Sequence, residues 1–317
     1  MTGVFLVLKP GLFTTIQDFG RFSCLRYGVP ASGAMDQFSL VAANALVGNK
    51  PGDACIEMTL IGPELRALSE MQIAIAGAEC SPRINEESVP MWRTLKADKG
   101  DVVSFGSMQN GCRAYLSVRG GINVPLVLGS RSTYARGGFG GLDGRPLRNG
   151  DTVESFYALP LSIEISMPQE LVPEFAGEVE ARVVLGPQSD MFTEAGVGTF
   201  FSSLFKVTFE ADRMGYRLDG PQIEHKGRAD IVSDALLPGA VQVPKNGKPI
   251  LLMRDAQTTG GYPKIAVVIS PDLSVLGQVK PGCSIRFSRV SLSEAQESSR
   301  EFFKLLNSLS SMLAENH

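Results

Sequence analysis

The sequence predicts a mainly β protein with a few helices, because short apolar runs alternate with turn residues along most of the chain. The 317 residues include 34 glycines and 19 prolines, which interrupt regular structure at turns. Patterns with the period of an α-helix are rare. Many short strands separated by frequent turns are typical of β-barrels and β-sandwiches.

The predicted strands are apolar segments bounded by turn residues. We predict strands at residues 4–8, 54–60, 71–76, 113–118, 181–185, 204–209, 249–253 and 264–269. Three further segments share a glycine turn and a strand that ends in phenylalanine, at residues 100–105, 150–156 and 282–287. Because these units occur in both halves of the chain, the pattern suggests two similar β lobes.

Two segments have helical periodicity. One helix is expected at residues 35–47, with Gly48 as its C-terminal stop. The other is expected at residues 293–314, where Ser291 and Glu294 have the spacing of a capping box at the helix start. Both apolar stripes predict packing against a core.

The expected domain organisation follows from these patterns and from an irregular segment at residues 157–180, which is rich in proline and glutamate. We place an N-terminal β lobe at residues 1–160, a C-terminal β lobe at residues 161–290 and a C-terminal helix at residues 291–317. A chain of this length is expected to hold about two domains.

Composition narrows the possible functions. The net charge of −3 argues against a nucleic-acid or membrane-surface partner. The N-terminal segment lacks the basic region of a signal peptide, and the five scattered cysteines are expected to be free thiols in a cytoplasmic protein. With only two histidines, His225 and His317, a histidine-based metal site or catalytic triad is not expected. The nucleotide-binding P-loop pattern is also absent.

The strongest local signal for binding lies at residues 119–148, where five arginines and many glycines accompany a single acid, Asp143. Glycine turns let backbone N–H groups approach an anion, and guanidinium groups bind carboxylates through two hydrogen bonds. The segment therefore predicts a pocket for a small anionic substrate; the alternative is a set of turns whose arginines face water. The residues expected to bind the anion are Arg131, Ser132, Thr133, Arg136 and Gly137.

Two polar segments in the second half form further candidates, because loops between strands commonly present reactive groups. One follows a predicted strand at residues 212–217, and the other connects two predicted strands at residues 255–263. The alternative is an ordinary hairpin with an Asp–Arg surface pair. The residues expected to contact an amide substrate or to support it are Asp255, Gln257, Thr258, Gly260, Tyr262, Asp212, Arg213 and Tyr216.

A third candidate lies at the start of the first predicted helix, where N–H groups without intrahelical partners attract anions. We expect Ser32 and Asp36 to form a wall of the substrate site there. The alternative is that Asp36 itself satisfies these N–H groups.

Several of these segments also carry a family resemblance. The matching stretches are TTIQDFGR (14–21), GVPASGAMDQFSLVAANALVGN (28–49), RGGINVPLVLGSRSTYARGGFGG (119–141), DRMGYRL (212–218), SDALLPGAVQVPKNGKPILL (233–252) and DAQTTGGYPKIA (255–266). Through them the chain resembles the KipA family of 5-oxoprolinase proteins, whose members are biotin-dependent carboxyltransferase-like and were once labelled as part of allophanate hydrolase. The resemblance extends over nearly the whole chain.

The resemblance implies a fold of two cyclophilin-like β-barrel lobes. It also implies that the chain acts in a complex with two partner proteins, one KipI-like and one LamB/YcsF-like. That complex uses ATP, with Mg, to open the lactam of 5-oxoproline to L-glutamate, and the chain itself carries no covalently bound cofactor. In this setting Asp255 or Asp212 would accept a proton, and Arg136 would stabilise charge on oxygen.

Two alternatives remain open. Relatives within urea amidolyases transfer a carboxyl group from carboxybiotin to urea, and that function would need biotin on a carrier supplied by another protein. A non-catalytic, regulatory partner of a KipI-like protein would instead bind without turnover.

Overall fold

The computed structural model describes residues 2–157, 164–175 and 177–315. The chain forms two compact units: the first comprises Met1–Arg21, Ser32–Phe175 and Lys304–His317, and the second comprises Phe22–Ala31 and Ala176–Phe303. The expected lobe boundary between residues 160 and 161 lies outside the described residues. The three-part division of the chain stays a prediction.

The first unit consists mainly of antiparallel strands. They are β1 (Thr2–Lys9), β2 (Phe13–Gln17), β3 (Cys55–Thr59), β4 (Glu64–Ala67), β5 (Met71–Gly77), β6 (Arg83–Ile84), β7 (Glu87–Ser88), β8 (Thr94–Ala97), β9 (Val102–Ser104), β10 (Arg113–Val118) and β11 (Thr152–Ser155). One sheet has the order β11-β1-β4-β9-β6-β7, and the other has the order β2-β3-β10-β5-β8. Apolar side chains of both sheets share one core, including Phe5 and Leu65 from the first sheet and Ile56 and Leu116 from the second.

The second unit is a closed barrel. Its elements are β12 (Glu178–Leu185), α2 (Glu194–Ser202), β13 (Leu204–Val207), β14 (Gly215–Asp219), β15 (Asp234–Ala235), β16 (Ala240–Gln242), β17 (Ile250–Leu252), β18 (Thr259–Gly260), β19 (Lys264–Val268), α3 (Asp272–Leu276) and β20 (Ser284–Arg289). The barrel order is β12-β19-β16-β17-β14-β13-β20, and a parallel pairing of β12 with β20 closes it. The short strands β15 and β18 pair separately.

The two predicted helices are confirmed. Helix α1 (Gln37–Leu46) is buried along its whole length in the first unit. Helix α4 (Leu292–Glu315) ends the described chain. The predicted capping box is present at its start, since the amide of Ser291 donates to Glu294 Oε2 at 2.7 Å and the amide of Glu294 donates to Ser291 Oγ at 3.2 Å. Short 3₁₀ helices lie at Leu25–Tyr27, Gln169–Leu171 and Ser189–Met191.

The strand predictions are confirmed as well, with small differences at the ends. The segment predicted at residues 113–118 is β10, which is buried along its length and pairs with both β3 and β5. The three glycine-turn segments contain β9, β11 and β20. The expectation of a mainly β fold with few helices is therefore confirmed, and a closed seven-stranded barrel is present in the second unit.

Thiol labelling provides one test of this packing. All five cysteines are free, as expected. Burial raises the pKa of the Cys55 and Cys80 thiols to about 12, whereas Cys24 and Cys283 are partly exposed. Because the thiolate is the reactive form, we expect a maleimide at about pH 8 to label Cys24 and Cys283 first. Mass spectrometry that finds Cys55 labelled equally fast in the native protein would contradict the packing.

Candidate functional site

The segment predicted to bind an anion connects β10 to β11 and folds tightly on itself. Gly144 has φ +67°, and a β-carbon there would overlap the backbone of Gly138. Gly138 has a similar φ of +70°, but a β-carbon there would meet no atom within 4 Å. The close packing of the loop therefore requires glycine at position 144, because no side chain fits there.

These two glycines allow a matched stability test. We expect Gly138→Ala to cost about 1 kcal/mol, the strain of alanine in a left-handed conformation. Gly144→Ala adds a backbone overlap to the same strain, so we expect a loss of about 3 kcal/mol or more. Urea unfolding of both variants measures the difference. Equal losses would show that the loop does not pack as described.

A buried acid that the sequence analysis missed organises this loop. Asp18 is 8% exposed and lies directly after β2. Its Oδ1 accepts hydrogen bonds from Ser130 Oγ at 2.6 Å, from Ser132 Oγ at 2.5 Å and from the amide of Gly20 at 2.7 Å. Its Oδ2 accepts from the amide of Arg131 at 2.6 Å. The Asp18 carboxylate thus accepts from two residues, Arg131 and Ser132, that the sequence had suggested for binding an external anion.

The predicted anion-binding residues divide into buried and exposed groups. Ser132 and Thr133 are buried, and Thr133 Oγ1 donates to the carbonyl of Ile16 at 3.0 Å. The side chains of both residues therefore bond within the first unit. In contrast, Arg136 and Gly137 lie on an exposed turn.

Two guanidinium groups tie the loop to its neighbours. Arg131 donates to the carbonyl of Val124, and its guanidinium lies 4.8 Å from the centre of the Phe156 ring. Arg21, which was not among the predicted site residues, donates to the carbonyl of Ser132 and lies 5.1 Å from the centre of the Phe139 ring. Both arginines therefore bond to backbone carbonyls in the first unit.

The segment that leads into the N-terminus of α1, the entrance to α1, holds a buried polar cluster. Asp36 caps the helix, since its Oδ1 accepts from the amide of Ser39 at 3.1 Å and its Oδ2 accepts from Ser39 Oγ at 2.6 Å. Tyr115 OH accepts from the amide of Asp36 at 2.8 Å and donates to Glu57 Oε2 at 2.8 Å. Desolvation, together with the charge of Glu57, raises the pKa of Tyr115 well above its usual value. Asp36 therefore satisfies helix N–H groups, the alternative that the sequence had left open.

Ser32 precedes this cluster and is strained. It is fully buried with φ +53°, and its Oγ has no hydrogen-bond partner within the described part of the chain. A serine in the left-handed region is uncommon, and such strain concentrates at functional positions. Ser32 is thus the residue at this entrance whose geometry most favours contact with a ligand.

In the second unit, the structure brings the two predicted polar segments together. Arg213 Nε donates to Asp255 Oδ2 at 2.9 Å, and Arg213 Nη2 donates to Asp255 Oδ1 at 3.0 Å. Both side chains are less than 10% exposed. The amide of Asp255 also donates to the carbonyl of Arg213 at 2.8 Å. This two-point ion pair fixes the loop after β17 against the turn before β14.

The other predicted residues of the 212–217 segment differ from each other in solvent exposure. Asp212 is exposed, and its Oδ1 accepts from the amides of Met214 and Gly215 at 2.7 and 3.2 Å. Tyr216 is buried, and its OH donates to the carbonyl of Leu276 at 3.1 Å. Asp212 is therefore open to a ligand, whereas Tyr216 is a core residue of the barrel.

The loop at residues 255–263 presents polar groups next to the ion pair. Gln257 and Tyr262 are exposed, and Thr258 is half-buried. The carbonyl of Thr258 accepts from the amide of Leu236 at 2.9 Å, and Gly260 lies opposite Asp234 in the β15–β18 pair. Backbone pairing therefore orders this loop and leaves the side chains of Gln257 and Tyr262 at its surface.

A second ion pair anchors this loop, and the sequence analysis missed it. Lys264 is 4% exposed at the start of β19, and its Nζ donates to Asp234 Oδ2 at 2.5 Å and to the carbonyl of Ala235 at 3.1 Å. The hydrogen bond from Lys264 lowers the pKa of Asp234. A lysine amid the apolar residues of β19 was the available sequence signal.

The exposed polar groups of these second-unit loops suit an amide. The side-chain amide of Gln257 can donate to oxygen, and the exposed carboxylate of Asp212 can accept from nitrogen or water. The Arg213 guanidinium is buried and bonded to Asp255. Among the described residues, no group of three or more histidine, cysteine, aspartate or glutamate side chains is arranged to hold a metal ion. In the same described part, no helix is long and apolar enough to cross a membrane.

Comparison with known proteins relates this chain to two groups of enzymes. Residues 27–289 match the family described as carboxyltransferase domain, subdomain A and B. The chain is 38% identical over 305 residues to the C subunit of 5-oxoprolinase from Escherichia coli (strain K12), which covers 94% of this chain and 96% of that protein. It is also 36% identical over 316 residues to urea amidolyase of Lachancea kluyveri, covering 92% of this chain and 17% of that protein.

A solved structure extends the similarity to three dimensions. The crystal structure of the K. lactis urea amidolyase matches this chain with a TM-score of 0.91 and 33% sequence identity. The match covers 96% of this chain and 20% of the amidolyase. The chain therefore corresponds to one part of a much longer protein in that case, and to nearly a whole protein in the Escherichia coli case.

Proposed function

Because this chain belongs to the family of carboxyltransferase domains with subdomains A and B, we propose that it acts as the KipA-type component of an ATP-dependent 5-oxoprolinase. The proposal rests on the sequence match with the Escherichia coli 5-oxoprolinase protein, which covers 94% of this chain and 96% of that protein. In the proposed complex the partners are a KipI-like protein and a LamB/YcsF-like protein.

The reaction proposed for the complex opens the lactam of 5-oxoproline to L-glutamate. Amide resonance is broken when the amide oxygen attacks the γ-phosphorus of ATP, with Mg, and ADP leaves. Water then attacks the ring carbonyl carbon, the ring C–N bond breaks and the nitrogen takes up a proton, which gives an acyl phosphate. A second water hydrolyses the acyl phosphate, so that phosphate leaves and the carboxylate of glutamate forms. Negative charge develops on oxygen during the attack, and positioned cationic or N–H donors stabilise it.

The residue roles are assigned within each unit. In the second unit, the exposed carboxylate of Asp212 would accept a proton from water, and Gln257, Thr258, Gly260 and Tyr262 would contact the amide. Both carboxylate oxygens of Asp255 accept from Arg213, so we assign Asp255 to holding that guanidinium in position.

In the first unit, the exposed guanidinium of Arg136 would stabilise negative charge, next to Gly137 on the same turn. Arg131, Ser132 and Thr133 would hold that turn through their hydrogen bonds to Asp18 and Ile16. Ser32 would contact the ligand at the entrance to α1, and Asp36 would hold that entrance in place.

A second candidate function is carboxyl transfer to urea or a similar amide. The TM-score of 0.91 with the K. lactis urea amidolyase favours it. This reaction needs carboxybiotin on a carrier protein, and the urea nitrogen would attack the activated carboxyl group. A regulatory partner of a KipI-like protein, with no turnover, is the remaining alternative from the sequence.

A set of parallel assays separates these functions. Glutamate is measured from 5-oxoproline and ATP with this chain plus the KipI-like and LamB/YcsF-like proteins, and carboxyl transfer is measured with urea and a carboxylated biotin carrier. We expect activity in the first assay only. Activity in the second assay alone would establish the carboxyltransferase. Tight binding to the KipI-like protein without turnover in either assay would leave the regulatory role.

A further inference from the structure

A cavity in the first unit lies outside all the residues assigned to the proposed reaction. Its volume is about 570 Å³, within the range of roughly 300–1,000 Å³ that is usual for ligand sites. The lining comes from the end of β5, the turn before β8 and the segment at residues 166–175. Several lining side chains, including Glu79, Asn110 and Glu174, are exposed, so the cavity is open to solvent.

The single tryptophan of the chain forms part of this cavity and has a strained backbone. Trp92 has φ +59°, which is exceptional for a bulky side chain. Its amide donates to the carbonyl of Ile75 at 2.7 Å, and its carbonyl accepts from the amide of Met167 at 2.8 Å. These two bonds hold the strained residue in place and present a half-buried indole at the cavity. Backbone strain that neighbouring residues maintain is typical of ligand-contacting positions.

The charges around the cavity favour a cation. Glu79 and Glu174 supply two carboxylates, and Arg93 supplies one guanidinium. Arg93 Nη2 lies 2.6 Å from Glu164 Oε2, which neutralises its charge. The indole face attracts a cation as well, because the ring quadrupole is negative above its plane. An aromatic ring and two carboxylates are a combination that recognises guanidinium or ammonium groups.

We propose that this cavity receives an arginine or lysine side chain from a basic segment of a partner protein. The cationic end would lie against Trp92 and between the carboxylates of Glu79 and Glu174. The side-chain amides of Asn110 and Gln169, which also line the cavity, would bond to the backbone of the inserted segment. A cavity of this volume exceeds one side chain, which favours a peptide segment over a free amine. This binding does not depend on the proposed substrate.

Trp92 makes the proposal directly measurable, since it is the only tryptophan and its fluorescence reports on this cavity. The full chain is titrated with the blocked tripeptide acetyl-Gly-Arg-Gly-amide and, separately, with the same peptide containing neutral citrulline. We expect a saturable change with the arginine peptide below about 10 mM and none with citrulline. Added salt should weaken the binding, because exposed charges are screened.

Variants separate the proposed contacts from other effects. The double variant Glu79→Gln with Glu174→Gln, which changes two exposed side chains, should weaken binding of the arginine peptide about tenfold. The control variant Glu301→Gln should leave the binding unchanged. In Trp92→Phe, which removes the fluorescence signal, calorimetry should detect weaker binding. Unchanged thermal midpoints of the glutamine variants would confirm that they fold.

Three outcomes would overturn the proposal. They are equal binding of the arginine and citrulline peptides, no saturable response to the arginine peptide, and binding of free N-methylguanidine as tight as that of the peptide. The last result would indicate a site for small amines. The glutamate assay of the complete complex is independent of these titrations, so a failure of either proposal is recognised separately.

Discussion

Replacing Asp18 by alanine is expected to lower the free energy of unfolding by about 4 kcal/mol or more, since each buried donor left without a partner costs about 1–3 kcal/mol. The carboxylate accepts four hydrogen bonds, from the hydroxyls of Ser130 and Ser132 and from the amides of Gly20 and Arg131. A change of this size is a large part of the stability of an ordinary domain. Denaturant unfolding measures it.

Asp143 supplies the control, because it lies in the loop between β10 and β11 that Asp18 organises. Its side chain is 71% exposed and lies 3.2 Å from Arg145, so we expect Asp143→Asn to change stability by less than about 1 kcal/mol. Asparagine also tolerates the positive φ of +55° at this position. If Asp18→Ala and Asp143→Asn destabilise the protein equally, Asp18 does not organise the loop.

The second large effect is expected at the buried ion pair of the barrel. Removing one partner of such a pair leaves an uncompensated charge, so we expect Asp255→Ala to lower the free energy of unfolding by about 3–5 kcal/mol. The double variant Arg213→Met with Asp255→Leu should recover much of this loss, because two apolar side chains of similar size replace both charges. Chemical denaturation of the single and double variants measures the recovery.

An exposed ion pair in the same unit is the control. Arg217 Nε lies 2.9 Å from Glu210 Oε2, and the two side chains are 61% and 73% exposed. We expect Glu210→Ala to change stability by less than about 1 kcal/mol, because solvent screens the pair. A loss at Asp255→Ala no larger than this would contradict the structural role assigned to the pair.

Most of the strands could be predicted because their apolar runs end at clear turn residues. The segment 113–118 is an example, since β10 occupies the same residues. Helix α2 was missed because Gly196 and Gly198 lie within its nine residues and weaken the helical pattern. Its Phe200 ring stacks on Phe287 at 4.5 Å, so tertiary packing supports the helix where its local sequence does not.

The candidate site was predictable in composition but not in detail. Sequence indicated that Arg213 and Asp255 belong to polar loops, and it offered no distance between them. Sequence also indicated donors at Arg131 and Ser132, but their acceptor, Asp18, lies more than 100 residues earlier. Long-range hydrogen bonds of this kind leave no local pattern. The same applies to Lys264 and Asp234, whose pairing depends on how the loop returns to the barrel.

The most direct test of the proposed function is a titration of this chain into fixed amounts of the KipI-like and LamB/YcsF-like proteins with 5-oxoproline and ATP. We predict that glutamate formation is negligible without the chain, rises with its concentration and reaches a plateau when the complex is saturated. The same titration with heat-denatured chain should have no effect. A rate that is equally high with the two partner proteins alone, or no glutamate at any concentration of the chain, would contradict its assignment as an essential component.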